Sequence, residues 1–257
     1  MQASQERRIA LVTGASLGIG KAIAERLARE GFGVAMLARG SADLEAAASA
    51  LGAQAKAVAC DLADADQPAL AVEETLAWGG RLDMVVNAAS ATRFGTVLSL
   101  SDEEWVTAFQ VKVFGALRLM RAAWPHLRAT GGLIVNIGGV GARTPKDQVA
   151  MTAALSASLM ALTKVFADRG LADGVRVNAI NPGPVLTPRI IGQLDARAKA
   201  GGTTRQALQA AMARDNGAMR VGQPEDVADL VAYLASPGAS LLHGSIIDLD
   251  GGMTKGL

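Results

Sequence analysis

The stretch Ile9-Ala10-Leu11-Val12-Thr13-Gly14-Ala15-Ser16-Leu17-Gly18-Ile19-Gly20 constrains the fold more than any other part of this 257-residue chain. An apolar run that stops at glycine reads as a buried strand, and Ile19, Ile23 and Leu27 recur just beyond it at helical spacing. The three glycines therefore occupy a strand-to-helix turn. The first N–H groups of that helix lack intrahelical partners and lie at its positive end, so the turn suits an anion. Glycine permits positive φ and lets a pyrophosphate approach the backbone closely. The spacing is G-x-x-x-G-x-G rather than G-x-G-x-x-G, so the glycines taken alone also fit a turn that only packs strand on helix.

The rest of the chain alternates strand and helix patterns. Strands are expected at Gly33–Ala38, Gln54–Ala59, Leu82–Asn87, Gly132–Ile137, Val175–Asn181 and Ile246–Leu249. Helices are expected at Ser41–Leu51, Gln67–Trp78, Ser101 to about His126, Met151–Leu171 and Pro224–Ala235. Ser101 and Glu104 form a capping-box pair at the start of the long helix, and Pro224 with Glu225 and Asp226 suits a first helical turn. Seven strands with intervening helices predict an α/β fold: one doubly wound, Rossmann-type domain over residues 1–257, its sheet mainly parallel and its ligands at the carboxyl ends of the strands. The segment 187–221 lies outside this pattern. It is placed either to fold over a substrate as a lid or to stand as a solvated helical insert whose arginines face water.

Half the residues are hydrophobic, ample for a sizeable core. A net charge of +1 gives no electrostatic case for nucleic acid or an anionic membrane. The single cysteine, Cys60, allows neither an internal disulfide nor a cysteine metal cluster, and no other metal constellation stands out. With a polar N-terminal stretch and no uninterrupted apolar span of membrane length, a cytoplasmic protein is expected.

The motifs together resemble the short-chain dehydrogenase/reductase family, in particular members like 3-oxoacyl-ACP reductases, over nearly the whole chain. They are Thr13-Gly14-x-x-x-Gly18-Ile19-Gly20, Asp61-Leu62 after the third strand, Asn87-Ala88-Ala89-Ser90, and Asn181-Pro182-Gly183-Pro184-Val185-Leu186-Thr187. Arg220-x-Gly222-x-Pro224-Glu225-Asp226-Val227-Ala228 and Gly244 through Asp250-Gly251-Gly252 complete them. The resemblance implies a dinucleotide site at Gly14, Ser16, Leu17, Gly18, Ile19, Gly20, Arg39, Asp61, Leu62, Asn87, Ala88, Ala89, Ile137, Pro182, Gly183, Val185 and Thr187. Asn87 would either brace that pocket or cap a turn, and Thr187 would either meet a phosphate oxygen or cap a helix. The second strand ends at Leu37-Ala38-Arg39 without the carboxylate that a 2′-hydroxyl requires, and Arg39 can pair with a 2′-phosphate. NADP(H) is therefore expected over NAD(H), although Leu17 stands where NADP-type relatives often carry a basic residue.

The family's catalysis uses a serine, a tyrosine, a lysine four residues after it, and an asparagine on the preceding long helix. Aligning Ala157-Ser158-Leu159-Met160-Ala161-Leu162-Thr163 without a gap places Thr152 at the tyrosine position and Ser156 at the lysine position. Gly139 falls at the serine position and Lys112 at the asparagine position. The only tyrosine, Tyr233, lies in a helix near the C-terminus, and His126 and His243 read as structural. Thr152 and Ser156 are either small packing residues or weak hydrogen-bonding replacements. Lys112 either restores the lost positive charge and donates the proton or is a lysine whose stem is buried. Two functions follow: an atypical reductase acting on a small carbonyl or alcohol, or a silent dinucleotide-binding sensor or regulatory partner subunit. Ala153, Ala154, Ala157, Ser158 and Ala161 give one helix a small-residue face, which either packs on the chain's own sheet or, as the family's habit implies, forms a homodimer or homotetramer with the preceding long helix.

Overall fold

The computed structural model describes residues 7–40 and 42–256. Its strands are β1 (Ile9–Thr13), β2 (Gly33–Ala38), β3 (Ala55–Ala59), β4 (Met84–Asn87), β5 (Leu133–Ile137), β6 (Arg176–Pro182) and β7 (Ile246–Leu249). Its helices are α1 (Gly18–Arg29), α2 (Ala42–Ala50), α3 (Gln67–Gly79), α4 (Asp102–Phe109), α5 (Gly115–Thr130), α6 (Ala150–Asp173), α7 (Pro188–Ala200), α8 (Arg205–Asp215) and α9 (Pro224–Leu234). The strands form one sheet in the order β3-β2-β1-β4-β5-β6-β7, and every pairing is parallel. The expected start of the second helix at Ser41 lies outside the described residues.

All residues of β1, β4 and β5 are buried, as a parallel sheet covered on both faces demands. Alternation along β1 divides the core. Ala10 and Val12 join Ile23, Leu27, Val227 and Val231 from α1 and α9 on one face. Leu11 joins Leu119, Met120 and Leu159 from α5 and α6 on the other. The chain runs β1 to β3 in one direction and continues from β4 in the other, which opens a crevice at the carboxyl ends of β1 and β4.

The predicted long helix is instead α4 and α5 joined by a π-turn at Gln110–Phe114, and it runs on to Thr130. Pro125 lacks an N–H but does not end it, because Leu127 beyond it is fully buried and the Thr130 hydroxyl donates to Leu82 O at 2.9 Å. Gly131, at φ 61°, then closes the helix. The Ser101–Glu104 capping box forms as expected. Helix α6, of 24 residues and mean hydropathy 1.5, is long and apolar enough to cross a bilayer. Its Leu159 and Ala167 are buried against the sheet and its Met151 and Leu155 against Ala108 and Val113, so it is a core helix. The 187–221 segment contains α7 and α8, both outside the sheet, and Arg205 and Arg220 there pair with Asp195 (3.2 Å) and Asp226 (2.6 Å).

Candidate active site at the carboxyl edge of the sheet

The glycine turn, the end of β4 and the loop after β6 meet in one place. Gly14 and Gly18 have φ of 66° and 58°. A Cβ on Gly20 would lie 2.3 Å from Gly14 O, and one on Gly14 would lie 2.9 Å from Ala89 Cα. A Cβ on Gly18 would come 3.2 Å from the Thr187 side chain. The Thr13 hydroxyl accepts from the N–H groups of Ala88 (2.9 Å) and Ala89 (3.0 Å), fixing the β4 end against the turn. Leu17 begins α1 in extended backbone with no side chain capping the helix and no acid in its first turn. Those N–H groups are thus free for an anion, flanked by the partly exposed Ser16 and Ile19.

The neighbouring groups fit the same ligand. Asn87 donates through Nδ2 to Asn136 Oδ1 at 2.8 Å, while its own Oδ1 is buried without a partner. Such orphaned acceptors are rare and point to a missing partner. Arg39 is exposed at the end of β2 with no carboxylate partner among the described residues. Asp61 donates its N–H to Gln67 Oε1 at 2.7 Å, and Arg118 reaches the Leu62 and Ala63 carbonyls at 3.5 and 3.4 Å, bracing that turn. Ile137 and Pro182 end β5 and β6, Gly183 donates its N–H to Leu249 O, and Val185 bridges to Gly222. Thr187 Oγ1 accepts the Ile190 N–H at 3.4 Å as the cap of α7, which leaves its hydroxyl proton free to donate.

The four residues aligned with the family's catalytic positions also lie close together. A Cβ on Gly139 would lie 3.3 Å from Ser156 Oγ and 3.4 Å from the Thr152 methyl. Gly139 is extended (φ 172°), and its N–H donates to Asn181 Oδ1 at 3.2 Å. Thr152 is partly exposed, and its hydroxyl has no partner among the described residues; Ser156 is fully buried. Lys112 enters from the π-turn of the long helix. Its Nζ donates to Gly138 O at 3.1 Å and to Ser156 Oγ at 3.5 Å. The residue is 5% exposed and makes no ion pair among the described residues. Desolvation therefore pushes its pKa down from 10.5 to about 8.

A family model described as enoyl-(acyl carrier protein) reductase matches residues 14–254. The chain belongs to the short-chain dehydrogenase/reductase family. It is 35% identical over 254 residues to the short-chain reductase protein NovJ of Streptomyces niveus, covering 97% of this chain and 95% of the relative. The L-sorbose reductase of Gluconobacter frateurii, solved with NADPH and L-sorbose, superposes with a TM-score of 0.93 at 32% identity, with full coverage of both chains. A short-chain oxidoreductase of Pseudomonas aeruginosa PAO1, solved with NADPH and described as containing an atypical catalytic center, gives 0.88 at 32% identity, covering 97% of this chain and 98% of that one.

Lys112, from the π-turn between α4 and α5, brings its amine to within 3.5 Å of Ser156 on α6, so the residues aligned with the family's asparagine and lysine adjoin. The sequence motifs include Thr13 and Asn181 but give them no place in the site, and they omit Asn136; all three hold the strand ends together. The signal was present, since three apolar strands each carry an asparagine near their carboxyl ends: Asn87, Asn136 and Asn181. Tyr233 is half exposed on α9 with its hydroxyl 3.4 Å from Gly238 O. The His243 ring bridges Val177 N and Ala167 O. Neither joins the site. Burial pushes the Cys60 thiol up to about 11, which makes it a poor nucleophile. Among the described residues no three His, Cys, Asp or Glu side chains are grouped to hold a metal.

Proposed function

We propose that the chain is an NADP(H)-dependent reductase in which Lys112 supplies the charge and the proton that family members draw from a tyrosine–lysine pair. The observation that carries this reading is the Lys112 amine, which donates to Gly138 O and Ser156 Oγ next to Gly139, where a Cβ would already touch Ser156 Oγ and the Thr152 methyl. The nucleotide, when bound, supplies or accepts a hydride; the glycine turn, Asn87, Ala88-Ala89 and the Pro182–Thr187 loop would hold it. Arg39 and the absence of an acid at the end of β2 support NADP(H), as do relatives solved with NADPH.

The Thr152 hydroxyl, unpaired and partly exposed, donates a hydrogen bond to the substrate carbonyl oxygen. Near neutral pH the Lys112 side chain is an ammonium, which stabilises the developing alkoxide electrostatically. As the carbonyl carbon gains hydride, the oxygen takes the ammonium proton and leaves a neutral amine, which regains a proton from solvent. A threonine hydroxyl is too weak an acid to serve alone, so the cation carries the step. Helices α7 and α8 fold over the substrate. The exposed Ala157, Ala161 and Val165 on α6 support a homodimer or homotetramer through that helix, whereas Ala153 packs inward.

Single-turnover loss of NADPH absorbance against a panel of aldehydes and ketones tests the proposal. Lys112→Met is expected to slow the observed rate by ~10²–10⁴-fold, the usual contribution of positioned proton transfer. An unchanged rate removes Lys112 from the chemistry.

A further inference from the structure

Two arginines with no acidic partner among the described residues stand together where the loop after β4 meets the first turn of α7. Arg189, two residues after the cap Thr187, reaches Thr92 Oγ1 at 3.4 Å, and its guanidinium lies 4.9 Å from the Phe94 ring centroid. Between Thr92 and Phe94, Arg93 is exposed, and its backbone N–H donates to the sulfur of Met151 at 3.3 Å. Met151 directly precedes Thr152 on α6, so this bond ties the loop that carries Arg93 to the helix that carries Thr152 and Ser156. Most other arginines in this part of the chain are paired: Arg143 with Asp248, Arg205 with Asp195, and Arg220 with Asp226. The nearby carboxylate of Asp147 is turned to the Val97 N–H at 3.0 Å. Lys146 beside it bonds Asn216 Oδ1 at 3.1 Å.

We infer that Arg93 and Arg189 receive an anionic group of the substrate, a carboxylate or a phosphate, held away from the reacting carbonyl. Two guanidinium groups close enough for one to act on the other repel unless an anion lies between them, and each offers the planar fork that binds carboxylate or phosphate bidentately. Partial burial and the charge of Arg93 both lower the pKa of Arg189, as expected for a cation awaiting its counterion. The Phe94 ring under Arg189 fixes the fork in place. The inference rests on the reductase reading for the carbonyl alone; the anion site is a binding claim that stands without turnover.

The test is a calorimetric titration with malonate, inorganic phosphate and neutral malonamide, with NADPH present to fill the phosphate cradle of the glycine turn. Malonate or phosphate is expected to bind, malonamide not to, and the stronger anion identifies the substrate's group. The double variant Arg93→Gln/Arg189→Gln is expected to weaken anion binding at least tenfold, and Arg189→Lys to retain part of it. Thermal melts of the variants check folding, and both substitutions are at exposed positions. If neither anion binds, or if the double variant binds unchanged, the inference is overturned. Reduction of neutral carbonyls without anion binding would sink it and leave the reductase reading intact. Anion binding without hydride transfer would do the reverse.

Discussion

The Lys112 amine is buried against Gly138 O and Ser156 Oγ with no carboxylate, and that predicts an unusual dependence of stability on pH. The folded-state pKa is about 8 against 10.5 for the free side chain. Below about pH 8 both the folded and unfolded chains carry the proton. Between about 8 and 10.5 the unfolded chain still holds it and the folded chain has released it, so stability rises with pH. The drop from 10.5 to about 8 amounts to about 3 kcal/mol when complete. In Lys112→Met this contribution is gone. The variant also leaves the Gly138 carbonyl and Ser156 hydroxyl without their donor, at a cost of about 1–3 kcal/mol that does not vary with pH. Urea unfolding of both proteins at equal concentration from pH 7 to 10 reads the difference. Wild type should gain about 2–3 kcal/mol on the variant across that range, at up to about 1.4 kcal/mol per pH unit. A constant difference would show that the amine titrates like a solvated lysine, and the argument for its desolvation would fail.

Other outcomes follow from the same geometry. The hydride-transfer rate should fall above about pH 8 as the ammonium deprotonates, a limb that stopped-flow pH profiles would show and that Lys112→Met should lack. Arg39→Ala should narrow the gap between NADPH and NADH affinities, measured by calorimetry, by roughly tenfold if the guanidinium pairs with a 2′-phosphate. Gly20→Ala places a methyl 2.3 Å from a backbone oxygen, so the turn must open. Nucleotide binding should be lost and the melting temperature should drop by several degrees. Light scattering at micromolar concentration should give a dimer or tetramer; a monomer would refute association through α6.

Much of the fold was legible because strand and helix periods were clean. β2 and β7 begin and end where the apolar runs do, and the Ser101–Glu104 pair announced the start of α4. The glycine turn was readable because only glycine fits both φ values and the close approach of Gly20 to Gly14. The path of the Lys112 side chain was not. Gln110-Val-Lys-Val-Phe114 reads as ordinary helix, whereas the structure widens it into a π-turn, a device frequent at functional sites. The expected end near His126 likewise falls short, because packing of Leu127 carries α5 on to Thr130. Arg93 and Arg189 are 96 residues apart, and nothing local marks them as neighbours.

The nucleotide cradle at the glycine turn underlies every step proposed for Lys112, so equilibrium binding of the dinucleotide is the most direct test. Calorimetric titration of the purified protein with NADPH and, separately, NADH should show one site per chain, with NADPH at least tenfold tighter. Absence of binding by either nucleotide would contradict it.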